Sequence, residues 1–396
     1  MISNRINSIE ESSTLAMAKK SRDLISQGKN IINLSLGEPD FNTPNFIKKA
    51  AQKAIEENYS KYTPVPGYQE LRKIISTKFK RDNKLKYKPN QIVCSTGAKQ
   101  SLMQLFLSIL NPNDEIIICA PYWVSYYQMI KFSKAKPIII NTSIENDFKI
   151  QPKELKKHIS KKTKAFLINS PNNPTGSVYS NNELKKLAEI LKKYPNTIVI
   201  SDEIYEHINF TNKKNGSIGQ FLSTEKQVVT INGLSKGFAM TGWRLGYIGA
   251  PNKIAKACTK IQGQFTSGTS SITQRAAISA LRKKPDFTKK MNIEFMKRRD
   301  MAVKMLEKIP NIKFNIPQGA FYIFIDFSSY LNTKYKSFKI KSNDDLSMYL
   351  LNNAEVATVS GSAFGNKECI RISIASSKKD IKEALNRIKN VLKKLT

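Results

Sequence analysis

Two histidines and four cysteines in 396 residues close several classes of chemistry at the outset. Cys94, Cys119, Cys258 and Cys369 stand far apart, form no C-x-x-C pair, and have only His158 and His207 as co-ligands. Neither a disulfide framework nor a zinc centre is expected, and no metal is. Long apolar runs are missing too. Nothing approaches the ~18 consecutive apolar residues of a membrane span. The stretch from Met1 to Glu11 carries no apolar segment with a small-residue cleavage site, so the cytoplasm is the expected compartment. Arginine is scarce, at 11 of 65 basic residues. The formal charge of +34 raises nucleic acid or an anionic membrane as partners. The lysines argue against both, because they cover nearly every expected helix face without a block of like charge or an arginine and aromatic cluster. They read as a solvated surface with a weak pull on anionic substrates, and no nucleic-acid or membrane partner is expected.

What is present is an alternation. A chain of 396 residues exceeds the ~250–300 at which single cores stop growing, so two domains are expected. Short apolar runs at 91–95, 115–120, 136–141, 165–170, 197–202, 228–232 and 245–250 alternate with helical periodicity at 101–110, 182–193 and 252–263. This is the signature of an α/β fold built on a mostly parallel, seven-stranded sheet. Functional residues should gather at the strand ends. After Ser271 the pattern changes to helices at 272–282 and 286–308 and strands at 313–316, 321–327 and 368–375, a second and smaller α+β domain. Ile381, Leu385, Ile388, Leu392 and Leu395 fall on one stripe of a last helix. The first 45 or so residues are expected to join this second domain or a partner subunit.

The segment Asn232-Gly-Leu-Ser-Lys236-Gly-Phe-Ala-Met-Thr-Gly-Trp-Arg244 holds a lysine and an arginine eight residues apart in a glycine-punctuated turn after an apolar strand. A lysine amine condenses with a carbonyl, and an arginine fork with Ser235 and exposed backbone N–H groups suits a phosphate dianion. Pyridoxal 5'-phosphate carries both groups. With so many lysines a chance pairing stays open, so further signals matter. Asp202 ends the run Thr-Ile-Val-Ile-Ser-Asp202, where it faces either a protonated ring nitrogen or the start of a helix it caps. Tyr205 and Asn173 reach a phenolic oxygen, or are a packed aromatic and an ordinary Asn-Pro turn. Gly97-Ala98-Lys99 joins a strand to a helix and aims backbone N–H groups at an anion, or is a plain connection. Arg371 lies opposite three isoleucines in Ile370-Arg-Ile-Ser-Ile, so it faces solvent unless that face lines a cleft, where it would clamp a carboxylate. Trp123 stacks on a planar ring or sits in the core. One ring system would use them all: Asp202 for the ring nitrogen, Asn173 and Tyr205 for the phenolic oxygen, Lys236 for the aldehyde, and Arg244, Ser235 and residues 97–99 for the phosphate.

Together with Gly37-Glu-Pro-Asp-Phe41, Lys61-Tyr62…Gly67, Pro121-Tyr-Trp-Val-Ser-Tyr126, Ser170-Pro-Asn-Asn-Pro-Thr-Gly176 and Ser201-Asp-Glu-Ile-Tyr-Glu206, these segments resemble class I aminotransferases of fold type I. The likeness is nearest to the bacterial aspartate and aspartate/prephenate branch and runs nearly end to end. The resemblance implies a large pyridoxal-phosphate-binding domain over 46–285, a small domain over 286–396, and an N-terminal arm over 1–45 that contributes to the small domain. It implies a homodimer in which Tyr62 reaches the neighbouring subunit's cofactor, and it places Gly37 and Arg371 on the substrate α-carboxylate. Trp123, Asn173 and Thr14 join them, with Lys99 paired to a distal carboxylate. The implied activity is ping-pong amino transfer between aspartate or glutamate and 2-oxo acids, with Lys236 as base and Asp202 and Tyr205 beside it. Prephenate, aromatic or neutral amino acids, or a carbon–sulfur β-lyase reaction, form the enzymatic alternatives. A nucleic-acid-binding regulator finds no room for a reading domain, since the likeness begins by Gly37. Glu10-Glu11 stands where the branch has a basic residue and a proline, which disfavours a second substrate carboxylate. Gly233 replaces a serine of some relatives, and Tyr127 and Ser360 replace prolines.

Overall fold

A computed structural model describes residues 2–282 and 286–396, without the side chain of Arg5. The expected boundary between 285 and 286 therefore abuts residues outside this description. The seven expected strands are all present: β1 (Ile92–Ser95), β2 (Glu115–Ala120), β3 (Lys136–Asn141), β4 (Thr163–Asn169), β5 (Ile198–Asp202), β6 (Val228–Gly233) and β7 (Gly246–Gly249). They form one sheet in the order β1-β7-β6-β5-β4-β2-β3. Strands β2 to β6 run parallel, and β7 runs antiparallel to both β6 and β1. Side chains alternate between faces. Ile116 and Ile118 pack with Leu102, Leu105 and Phe106 on one side, whereas Ile117 packs with Leu155, Leu184 and Leu187 on the other. Two covered faces explain why the central strands read as unbroken runs of valine and isoleucine.

Helices Ala98–Ile109 and Asn252–Phe265 cover the first face, and Pro152–His158 and Asn181–Leu191 the second. Asn181–Leu191 opens on a capping box, with the Ser180 hydroxyl accepting from Glu183 N–H and the Glu183 carboxylate accepting from Ser180 N–H. Strand ends differ from expectation by a residue or two. β4 stops at Asn169 because Ser170-Pro171 starts a turn, and proline supplies no ladder donor. Helices Ser13–Ser26, Asn45–Glu56, Gln69–Lys78, Val124–Phe132 and Asn343–Ala354 are further elements that the sequence reading does not name.

A second, antiparallel sheet contains β8 (Lys313–Phe314), β9 (Tyr322–Asp326), β10 (Val359–Ser360) and β11 (Cys369–Ser373), in the order β10-β11-β9-β8. Its core takes side chains from helices Asp286–Leu306, Asn343–Ala354 and Lys378–Leu392. Ile381, Leu385, Ile388 and Leu392 are buried there as the stripe requires, while Leu395 packs from beyond the helix end. The N-terminal stretch joins this core. Ile32–Asn33 pairs in parallel with Val356–Ala357, and Leu34 is fully buried within it.

Candidate active site

Parallel strands end together, and the ends of β4, β5 and β6 bring polar residues to one edge of the sheet. The register sets Asn169 beside Asp202, and the Asn169 amide donates to the Asp202 carbonyl at 2.9 Å. A cavity of about 300 Å³ opens beyond this edge and is lined by Asp202, Tyr205, Asn173, Ser235, Lys236, Arg244, Ala98, Lys99, Trp123, Thr14, Gly37 and Arg371. Nearly every residue singled out in the sequence thus reaches one space. Gly97 borders it through Arg244. Tyr62 does not reach it and is 96% exposed.

Asp202 is buried, and no helix follows it for its carboxylate to cap. Instead Oδ1 accepts from Ile204 N–H at 3.2 Å and Oδ2 from the Tyr126 hydroxyl at 2.5 Å. Burial pushes its carboxyl up to about 6, against the lowering effect of the Tyr126 bond. Lys236 sits in a tight turn in which Met240 N–H donates to the Ser235 carbonyl at 3.1 Å. Its Nζ donates to the Gly37 carbonyl at 2.5 Å. Burial first, with Arg371, Arg244 and Lys99 adding to it, brings the Lys236 amine down to about 8 despite the opposing Glu38 carboxylate.

Gly97 and Gly37 are glycines for spatial reasons. A Cβ on Gly97, whose φ is +85°, would lie 2.3 Å from Arg244 Nη2, and one on Gly37 would lie 2.1 Å from the Tyr322 hydroxyl oxygen. The first lets the Arg244 guanidinium lie against the turn that opens helix Ala98–Ile109. The second lets the Gly37 backbone close over the floor of the cavity.

Arg371 is 2% exposed, so the solvent-facing alternative does not hold. Its Nη1 donates to Asn173 Oδ1 at 3.0 Å and its Nη2 to the Ser35 carbonyl at 2.5 Å, while the guanidinium lies 4.3 Å from the centre of the Tyr322 ring. Nε has no partner among the described residues. A buried guanidinium N–H left unpaired is costly, and here it belongs to a residue that lines an anion-seeking cavity. The cavity wall carries four cations, Lys99, Lys236, Arg244 and Arg371, against two carboxylates, Glu38 and Asp202. Tyr205 shares a hydrogen bond of 2.9 Å with Tyr322, and Lys99 Nζ stands 5.1 Å over the Trp123 ring.

Sequence reasoning assigned no role to Tyr126 or Tyr322. Tyr126 lies within the segment 121–126 singled out for Trp123, three residues further along helix Val124–Phe132, but nothing in the sequence pairs it with Asp202. Tyr322 reads as a core strand residue, and only its bond to Tyr205 in the turn after β5 reveals it. Glu10 and Glu11 line an adjoining cavity of about 570 Å³ together with Lys99 and Tyr127. Tyr127 stacks on Tyr122, and Ser360 donates to Asn343 Oδ1 at 2.7 Å. The Gly233 site is tight, with a Cβ there 3.0 Å from the Leu245 carbonyl.

Comparison with known proteins agrees with this arrangement. The family of aminotransferases of class I and II matches residues 29–388. A protein of Rickettsia typhi named a probable aspartate/prephenate aminotransferase is 46% identical over 391 residues, 98% of each chain. The crystal structure of the aspartate aminotransferase of Rhizobium meliloti superposes with a TM-score of 0.96 at 38% identity over all of both chains. That of the Thermus thermophilus aspartate aminotransferase with maleate has a TM-score of 0.93 at 35% identity, covering 99% of each. A lysine, an aspartate and a buried arginine around one cavity, on a fold shared from end to end, make this chain a member of the class I and II aminotransferases.

Proposed function

We propose that the chain is a pyridoxal-phosphate-dependent transaminase that moves an amino group between aspartate or glutamate and their 2-oxo acids. The observation that carries this reading is the half-buried Lys236 amine sharing one cavity with the buried Asp202 and the half-satisfied Arg371. The donor set fits pyridoxal phosphate. The Arg244 guanidinium, Ser235 and the helix start after Gly97 would hold the phosphate, Asp202 the ring nitrogen, and Asn173 with Tyr205 the phenolic oxygen. Bound there, the cofactor supplies an aldehyde and an electron-accepting ring.

The chain's own residues do the rest. Lys236 Nζ, partly neutral near its value of about 8, would take the proton from the substrate α-carbon and deliver it to the carbon that carried the cofactor's aldehyde. The Tyr126 bond favours Asp202 as the charged partner of a ring proton. Arg371 holds the α-carboxylate with its fork, fixing which substrate bond faces Lys236. Lys99 at the mouth, with Thr14, receives the distal carboxylate. The Thermus thermophilus relative is named with maleate, itself a four-carbon dicarboxylate, which supports an acidic substrate. Relatives named for prephenate make it the second acceptor to test, and Glu10 and Glu11 beside Lys99 oppose its second carboxylate. Comparing kcat/KM for prephenate and 2-oxoglutarate ranks the two.

We further propose a homodimer in which Tyr62 of the partner subunit completes the phosphate site, a cytoplasmic setting in keeping with four unpaired cysteines, and domains over 46–285 and 286–396 with an arm over 1–45. No helix among the described residues is long and apolar enough to cross a membrane. A Lys236→Ala protein tests the core of the reading. It should lose transamination of aspartate by several orders of magnitude, and turnover near the wild-type rate would contradict it.

A further inference from the structure

The turn after β5 shows two faces. Asp202 and Tyr205 line the cavity, while Glu203 and Glu206 point away from it into a second polar cluster that the proposed reaction does not use. Lys78, the last residue of helix Gln69–Lys78, is 1% exposed and pairs with Glu206, whose side chain is 5% exposed. Lys78 Nζ also donates to Asn83 Oδ1 at 2.9 Å. The Asn83 amide in turn donates to Glu206 Oε2 at 2.7 Å and Glu203 Oε2 at 3.0 Å. Ser201 donates to Glu203 Oε1 at 2.8 Å. His207 Nε2 lies 3.3 Å from Glu206 Oε1, and its ring packs edge-on against Phe238. A Cβ on Gly237 would lie 2.5 Å from His207 Cδ2, so the residue after Lys236 is bare where the imidazole presses on it. Burial acts to raise the Glu206 carboxyl, but Lys78 and then His207 outweigh it and bring it down to about 2.

A cluster of this kind is a poor device for stability alone. Removing charges from water costs about as much as their attraction returns, and apolar replacements of similar volume are often neutral or stabilising. What it does supply is a fixed geometry. The segment 203–207 is neither helix nor strand, and beside the backbone bonds of Glu203 N–H to the Ile231 carbonyl and of Glu206 N–H to the Glu203 carbonyl, these side-chain bonds help define where it lies. We propose that Lys78, Glu206 and His207 are positioning residues that hold the Asp202–Tyr205 turn and the Lys236 turn in mutual register from behind the active site. This rests on the reading of Lys236, Asp202 and Tyr205 given above. Displacements near 1 Å at such groups cost up to about 100-fold in rate.

The test uses Lys78→Met with Glu206→Leu as a double variant, and His207→Ala as a second protein in case the first does not fold. Each is compared with wild type in thermal melting, in kcat and KM for aspartate, and in the pH dependence of competitive acylation of Lys236 in the cofactor-free protein. The expected result is melting that is unchanged or higher for the double variant, kcat lower by on the order of tenfold with KM little changed, and a Lys236 midpoint moved up toward the ordinary lysine range. His207→Ala should show the same kcat loss and midpoint shift. Wild-type kcat and midpoint in whichever variants fold would overturn the inference and leave the proposed function standing. A wild-type protein that forms no covalent adduct with pyridoxal phosphate at Lys236 would instead remove the reading on which the inference rests.

Discussion

At the scale of single residues, the site sets the half-buried Lys236 between the buried Asp202 and Arg371, with the exposed Lys99, Arg244 and Glu38 around them. Lys236 is held near 8 by burial and neighbouring cations, below the ordinary 10.5 of a lysine. Its folded value is depressed, so the neutral, nucleophilic amine dominates above about 8 and is lost as the pH falls through it. The rate at which the cofactor-free protein takes up pyridoxal phosphate should therefore level off above pH 8 and fall about tenfold per unit well below it. Stopped-flow absorbance across pH 6 to 10 checks this, and a rate still climbing at pH 10 would mean an ordinary lysine. Tyr126→Phe removes the donor at 2.5 Å from Asp202, a bond to a charged group worth about 1.5–3 kcal/mol, so kcat should drop on the order of tenfold or more. Arg371→Lys keeps the charge but loses the fork, and should raise KM for aspartate by a similar or larger factor. Lys99→Ala separates two roles, because an unchanged KM would leave Lys99 only its backbone N–H. At this scale the sequence was legible where the chemistry of several residues converges. Lys236, Asp202 and Arg371 each had a plain reading alone, as a chance pairing, a helix cap and a solvent-facing strand residue, and what singled them out was that one ring system and its substrate would use them together. Tyr126 and Tyr322 were not singled out, since a tyrosine in a helix or strand breaks no local rule.

At the scale of elements, six of the seven strands were readable because burial on both faces writes continuous apolar runs, the edge strand β3 from its Ile138-Ile139-Ile140 run although it is largely exposed, and the last helix because its stripe repeats every three to four residues. The direction of β7 was not readable. It runs antiparallel to β6 because the Lys236 turn reverses the chain, and the apolar run at 245–250 has the same composition either way. Helix Val124–Phe132 went unseen for a related reason. It is short and buries Val124, Tyr126, Met129 and Ile130, so its period is blurred by aromatic residues that serve the site. Leu385, 1% exposed at the centre of the last helix, is the place to test the stripe. Leu385→Ala should destabilise the fold by about 2–5 kcal/mol through lost burial and a residual cavity. Chemical denaturation measures this, and it should leave KM for aspartate unchanged.

For the whole molecule, the two cores meet around one cavity. The sheet of seven strands supplies Asp202, Asn173 and Lys236, the smaller sheet supplies Arg371 and Tyr322, and the N-terminal stretch supplies Gly37 and Thr14. Tyr62 is almost fully exposed, and the proposed homodimer would place it on the neighbouring subunit's cofactor. Mixing equal amounts of Lys236→Ala and Tyr62→Ala subunits should give hybrid dimers with one intact site and one doubly defective site, restoring tight cofactor binding to half the sites of those hybrids. If Tyr62 acted within its own chain, no site in the mixture would be intact. The abundance of lysine has no structural explanation here beyond a solvated surface. The central claim, that Lys236 and its cavity pass an amino group through pyridoxal phosphate, is tested most directly by the absorption spectrum of the cofactor-loaded protein before and after L-aspartate. The band of the lysine-linked cofactor should give way to that of its amine form while oxaloacetate appears. A lysine-linked band that aspartate leaves unchanged would contradict the substrate, and the absence of any such band would contradict the site.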